Sequence, residues 1–448
     1  MSPWKNNRIT PAQIVIAGFL LLILCGAALL TLPFATRDGA GASFGDALFT
    51  ATSATCVTGL VIHDTYTYWS AFGQLVILVL IQIGGMGVVT MAMAISMFTG
   101  RRIGLKQRFV LQESMAAPQM GGVVRMTGFI LRATLLLESL GAVVMALRFI
   151  PLFGFVKGVW FSVFHAVSAF CNAGFDLMGG AAPYSSLTAF AGDPLVNLPI
   201  MALITVGGIG FFVWGDIREH GLRFHAYRLQ TKMVLTVSLA LILLPAAYFY
   251  FYEFSQPQWA GMTGGERVWA ALFQSVTPRT AGFNTVELTR YESPSVLVTI
   301  LLMLVGGSSG STAGGVKTTS LLLLFLCVRS SVQNRDSVQA FRRRLPPEVI
   351  RNTITILTLY VLLFLTGGTL ISCIEGVSLS AALFESASAI GTVGLSLGMT
   401  GGLGPASRLI LILLMYFGRV GGLTMLYAVA SRRPPALSRL PQEKIAVG

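Results

Sequence analysis

Long apolar runs alternate with short polar stretches along the whole chain. A helix that crosses a bilayer needs roughly 20 apolar residues. Eight runs have that character: 14–32, 72–98, 126–150, 195–214, 233–254, 296–328, 350–374 and 409–430. Between the members of each successive pair lies a shorter apolar segment that runs into a loop ending in glycine. The unit is therefore long helix, short helix, glycine loop, long helix, four times over.

The four loops are Cys56-Val57-Thr58-Gly59, Asn172-Ala173-Gly174, Thr280-Ala281-Gly282 and Thr392-Val393-Gly394. Their glycines are spaced by 115, 108 and 112 residues, the mark of an internal repeat. Each unit has an even number of spans, so the four share one orientation and are related by an axis along the membrane normal. The expected architecture is an all-α integral membrane protein with four parallel repeats around a pseudo-fourfold ion pore. The repeats are 11–100, 126–216, 232–328 and 350–430, joined by linkers 101–125, 217–231 and 329–349, with a tail at 431–448. A glycine loop behind a short helix suits a cation filter, in which backbone carbonyls replace the ion's hydration shell. Glycine lets that backbone turn where other residues resist.

Composition agrees with this pattern. The chain is 54% hydrophobic and 11% charged over 448 residues, whereas a soluble domain carries about 25% charged residues. The net charge of +13 resides largely in the linkers, at Arg101, Arg102, Lys106 and Arg108, at Arg218, Arg223, Arg228 and Lys232, and at Arg342, Arg343 and Arg344. By the positive-inside rule these segments and both termini are cytoplasmic, and the loops face outward. The outer segments carry Asp38, Asp64, Asp176, Asp193, Glu287 and Glu292, which would concentrate cations at a mouth. The five cysteines sit in apolar or filter-like segments and read as small buried residues. The linkers leave no room for a catalytic or nucleotide-binding domain. Stretches 105–120 and 341–351 read as amphipathic cytoplasmic helices.

One inner run is interrupted by weak helix formers: Gly306, Gly307, Ser308, Ser309, Gly310, Ser311, Thr312, Ala313, Gly314 and Gly315, followed by Lys317. Irregular backbone at membrane depth must be buried in protein or line water. The expectation is a gating loop over 305–319 beneath the filter. A nucleotide P-loop fails, because Val316 separates Gly315 from Lys317 and no strand precedes it. Arg419 lies inside the last run, where a buried arginine marks function by default. It is expected to bond that loop. His165 reads as a packed neutral histidine, and His63 as a residue of the outer vestibule. No HExxH motif or paired His/Asp constellation supports an enzyme. The rival to a pore is an alternating-access cation carrier or symporter.

With these loops, the Gly/Ser-rich break and Arg419 in view, the chain resembles the superfamily of potassium transporters that includes Trk, Ktr and the plant HKT proteins. Eight spans beginning almost at once are most like KtrB, the membrane subunit of Ktr potassium uptake systems. The resemblance covers nearly the whole chain. It implies potassium uptake across the cytoplasmic membrane, with potassium held at the loop residues named above and gating by 306–315, Lys317 and Arg419. It also implies a homodimer, no cofactor on this chain, and a separate KtrA-like cytoplasmic ring that binds a nucleotide of the ATP/ADP or NAD type. Sodium is a possible activator in that family. Cys56 departs from the family pattern, where a hydrophobic residue such as valine is more usual.

Overall fold

The computed structural model describes residues 10–88, 90, 91, 123–422, 424, 425 and 443. The stretch 105–120, expected to be an amphipathic helix, lies outside the described residues. The rest is mostly helical. Repeat one holds α1 (Pro11–Leu30), α2 (Phe44–Cys56) and α3 (Ala71–Met86). Repeat two holds α4 (Val123–Phe153), α5 (Phe155–Phe170), α6 (Pro194–Ile209) and α7 (Phe211–His220). Repeat three holds α8 (Leu229–Phe251), α9 (Gly264–Val276), α10 (Ser293–Leu304) and α11 (Thr318–Val332). Repeat four holds α12 (Pro347–Glu375), α13 (Leu379–Gly391) and α14 (Pro405–Val420).

Among the described residues, four helices are long and apolar enough to cross a membrane: Ala12–Leu30, Val124–Phe153, Leu229–Ser255 and Pro347–Glu375. They are the first helices of the repeats. Their outer faces are lined by exposed leucines and valines, among them Leu136, Val143, Leu244 and Leu362. Such surfaces are stable in lipid and not in water. Cys25 and Cys373 also lie exposed on these helices, which corrects the expectation that all five cysteines are buried. An apolar helix in lipid has no need to turn its cysteine inward.

Three of the second helices differ from expectation. The runs 72–98, 195–214 and 409–430, expected to be continuous, are each broken within the described residues. Breaks fall at Gly87, Gly210 and Gly421, with φ of 86°, 96° and 90° and ψ of 133°, 146° and 138°. This backbone is open to glycine and strained for other residues. The break at Gly210 turns α6 against α7 by 93°. Run 296–328 is interrupted where the sequence reading expects it, by the loop between α10 and α11. Apolar continuity in the sequence concealed the breaks at Gly87, Gly210 and Gly421, because the chain stays apolar through them.

Stretch 341–351 is not one helix. Gln339–Ala340 pairs antiparallel with Arg343–Arg344, and Phe341 and Arg342 turn between them at φ of 46° and 63°. Both central residues are left-handed, as a two-residue hairpin requires. Pro346 and Pro347 then keep α12 from starting earlier.

The shorter helices α2, α5, α9 and α13 form the centre. Phe49, Phe164, Phe273 and Phe384 on them are fully buried. The core is thus built around the helices that present the glycine loops.

Candidate functional site

Each central helix stops just before its glycine loop. In repeats one, two and four the helix ends with a six-to-one backbone bond: Thr58 N to Ser53 O, Ala173 N to Ser168 O, and Val393 N to Ser388 O, each 2.8 Å. This is the Schellman closure, which needs a left-handed residue past the helix. Val57, Asn172 and Thr392 supply it, at φ of 58°, 59° and 52°, and Thr280 takes the same place in repeat three at 73°. Val57, Thr280 and Thr392 are β-branched, so each such φ costs of order 1–3 kcal/mol and needs its surroundings to hold it. Cys56 closes helix α2, one residue before this position, and is fully buried.

Two residues further on, Gly59, Gly174, Gly282 and Gly394 have φ of 89°, 68°, 81° and 93°. They form a closed ring. A Cβ on Gly59 would lie 3.2 Å from Gly174 Cα, and one on Gly174 would lie 2.9 Å from Gly282 Cα. One on Gly282 would lie 3.2 Å from Gly394 Cα, and one on Gly394 would lie 2.9 Å from Gly59 Cα. Each such Cβ would also strike the carbonyl before the next glycine: Ala173, Ala281, Val393 and Thr58 in turn. Ring order thus follows chain order. The negative C-terminal ends of four helices point toward the ring, which favours a cation there.

Hydroxyls missed in the sequence reading brace these loops. Ser53 Oγ accepts from Gly59 N (3.1 Å) and Ser388 Oγ from Gly394 N (3.0 Å). Ser168 Oγ donates to Phe175 O and Thr277 Oγ1 to Phe283 O, both 2.7 Å. A hydroxyl five or six residues upstream of every key glycine was the available signal. The Asn172 amide and the Thr280 hydroxyl, 3.0 Å apart, tie neighbouring strands together. His165 is fully buried, with Nδ1 2.7 Å from Phe161 O and Leu177 N donating to Nε2 at 3.4 Å. One donor and one acceptor make it the neutral tautomer.

An outer cavity of about 1260 Å³ is lined by all four glycines and by Asp46, Asp64, Asp176, Glu287 and His63. Asp38, Asp193 and Glu292 do not line it. Asp193 pairs with Arg148 instead, and Asp38 accepts from Thr36.

An inner cavity of about 480 Å³ holds Gly87, Ser309, Gly310, Ser311, Ala313, Gly315, Lys317, Tyr360 and Arg419. The loop of repeat three docks into the break of repeat two. Ser308 N donates to Gly208 O (2.9 Å), Thr312 N to Gly207 O (3.3 Å), and Phe211 N to Gly310 O (2.8 Å). Its ends are held by Gly306 N to Val316 O (2.8 Å) and by Ser308 Oγ with Thr318 Oγ1 (3.0 Å). Thr312 Oγ1 reaches Phe170 O at 3.1 Å, at the end of α5. A Cβ on Gly314 would strike Thr392. The loop therefore lies against the underside of the ring. Lys317 Nζ donates back to Ala313 O (2.8 Å) and Gly314 O (3.3 Å). Arg419 donates to Thr312 O and Gly84 O, and to Gly85 O at 2.8 Å. It thus joins repeats four, three and one. It occupies the place of the second residue in Gly84-Gly85-Met86-Gly87 and Gly207-Gly208-Ile209-Gly210, where the other repeats have glycine.

The comparisons with known proteins agree with one another. Residues 5–438 match the family model TrkH, described as cation transport protein. The chain is 38% identical to the potassium/sodium uptake protein NtpJ of Enterococcus hirae, across 99% of this chain and 98% of that protein. It is 37% identical to the Ktr system potassium uptake protein B of Bacillus subtilis, with the same coverage. Among solved structures, the potassium transporter TrkH from Vibrio parahaemolyticus aligns with TM-score 0.72 and 21% identity, over 96% of this chain and 86% of that one. A chain matched over nearly its whole length, with long apolar helices, is a multi-pass membrane protein and not an enzyme. It belongs to the TrkH family of cation transport proteins.

Proposed function

We propose that this chain is the membrane subunit of a potassium uptake system, conducting through the ring formed by its four glycine loops. The single observation that carries the reading is the closed ring of Gly59, Gly174, Gly282 and Gly394 between two cavities. Backbone carbonyls there replace water around the ion. The binding residues are Cys56, Val57, Thr58 and Gly59, Asn172, Ala173 and Gly174, Thr280, Ala281 and Gly282, and Thr392, Val393 and Gly394. Potassium as the cargo draws on the relatives of similar length, both named for its uptake. One of those names includes sodium, and sodium stimulation belongs to the same reading.

The loop 306–315 is the gate, latched by Arg419 and Lys317. The basic segments face the cytoplasm of the inner membrane, eight spans cross it, and a homodimer carries a nucleotide-binding ring on that face. Support for a regulatory partner comes from the Ktr-named relatives, whose names make them parts of a system. A pore is favoured over an alternating-access carrier, because four backbones closed in a ring do not part into two rocking halves.

The experiment is growth of a potassium-uptake-deficient bacterium on limiting potassium, with and without a regulatory partner. Purified protein in liposomes then gives rubidium or potassium flux directly. Membrane-inserted protein that neither restores growth nor passes either ion with the partner present would sink the reading.

A further inference from the structure

The one-residue offset that aligns Thr277 with Ser53, Ser168 and Ser388 also aligns Thr50, His165, Gln274 and Glu385. These residues share one place on the four central helices, and all four are buried. Two of them are titratable. Glu385 accepts from Ser396 Oγ, from Thr400 Oγ1 at 2.9 Å and from the Leu397 amide. His165 accepts from the Leu177 amide at 3.4 Å. Leu177 and Leu397 each lie three residues past their key glycine. The ring order places repeats two and four diagonally across the axis. Ser396 and Thr400 line the outer cavity.

We propose that Glu385 and His165 are a diagonal pair of positioning residues that set the outer rim of the ring and thereby its choice among alkali cations. The inference rests on the reading of the glycine ring as the filter. A carboxylate with donors on both oxygens holds the strand beyond Gly394 at a fixed distance from its own helix. Carbonyls at the rim then keep the spacing that suits one ion radius. Gln274 has the same place in repeat three, but its amide has no hydrogen-bond partner among the described residues. The device is therefore twofold and not fourfold.

The test is the ratio of potassium to rubidium KM for uptake in liposomes or uptake-deficient cells. Glu385→Leu removes all three acceptor contacts and should shift that ratio by about tenfold, the scale of a lost charge-assisted hydrogen bond. The maximal rate should be kept. Glu385→Gln keeps one acceptor oxygen and should recover part of the ratio. The pair Ser396→Ala with Thr400→Val attacks the contact from the other side and should match Glu385→Leu. It also decides the matter if Glu385→Leu does not fold. His165→Leu should act in the same direction. An unchanged ratio in folded Glu385→Leu or in the double variant overturns the proposal. Gly394→Ala is the control: a shift there without one in the Glu385 set leaves the filter reading intact and removes this one. No shift in either removes the filter reading itself.

Discussion

Arg419, on the inner helix of repeat four, donates to the carbonyl of Thr312, in the middle of the loop that breaks the inner helix of repeat three. Its second nitrogen reaches Gly84 and Gly85 of repeat one. One guanidinium thus reaches three carbonyls at helix breaks, of which that of Gly84 also accepts from Gly87 N. A carbonyl left bare in hydrocarbon costs several kcal/mol. Five donors in a fixed fork make arginine suited to this, and lysine less so.

Removing the latch should raise basal flux. In Arg419→Ala the carbonyls of Thr312, Gly84 and Gly85 lose their shared donor, and the loop is freed from two neighbours. Potassium flux into liposomes without a regulatory partner should rise by about tenfold or more, the equivalent of one charge-assisted hydrogen bond. Deleting 308–313 should give the same rise and abolish dependence on the partner. A folded deletion variant that conducts no faster than the parent would mean the loop only packs.

Selectivity should fall when a ring glycine gains a side chain. In Gly59→Ser a Cβ meets the Ala173 carbonyl, and the φ of 89° is strained besides. Potassium affinity should drop and sodium permeability rise relative to it. Competition of sodium against rubidium uptake measures this. Unchanged affinity in folded Gly59→Ser protein would remove that loop from the filter.

The inner helices should tolerate no side chain where they touch the central helices. Gly84 abuts the carbonyl of Thr55, Gly207 that of Phe170, and Gly418 that of Ile390. All three carbonyls lie four residues before a ring glycine. Gly418→Ala should therefore destabilise by about 1–3 kcal/mol through overpacking. Thermal unfolding in detergent reports it, and a midpoint equal to the parent's would show that the helix yields.

Uptake at limiting potassium should weaken on acidification of the outer side. Asp176 lines the outer cavity, and burial raises its carboxyl from the usual range to about 6. Above that pH the group is ionised and attracts cations; below it the charge is lost. Asp176→Asn should have low uptake at both ends and a flatter profile between pH 7.5 and 5. The measurement is initial rubidium uptake against outer pH, and a parent profile without a step near 6 would remove Asp176 from the mouth.

A regulatory partner should grip the exposed basic turn. Arg342, Arg343 and Arg344 project from the hairpin between α11 and α12. Replacing all three by alanine, together with Arg101 and Arg102, should weaken co-purification with a ring-forming partner at moderate salt. Since those charges also set topology, orientation is checked first. Binding that survives with orientation intact would place the contact elsewhere.

The letters alone determined the periodic skeleton. Apolar run length and four evenly spaced glycines made the repeat legible, because bilayer thickness and the left-handed φ both act locally. Gly59, Gly174, Gly282 and Gly394 were visible for that reason, and so was Arg419, a charge stranded in an apolar run. Only the tertiary structure decided that the glycines form a ring, since their mutual contacts join residues more than a hundred positions apart. It also decided that three inner helices break at Gly87, Gly210 and Gly421. There the chain remains apolar, and hydropathy does not register a turn of φ. Finally, it decided what braces the site. Ser53, Ser168, Thr277, Ser388 and Glu385 read as ordinary polar residues in a helix, and only their burial behind the loop that follows each helix, with partners in that loop, shows what they hold.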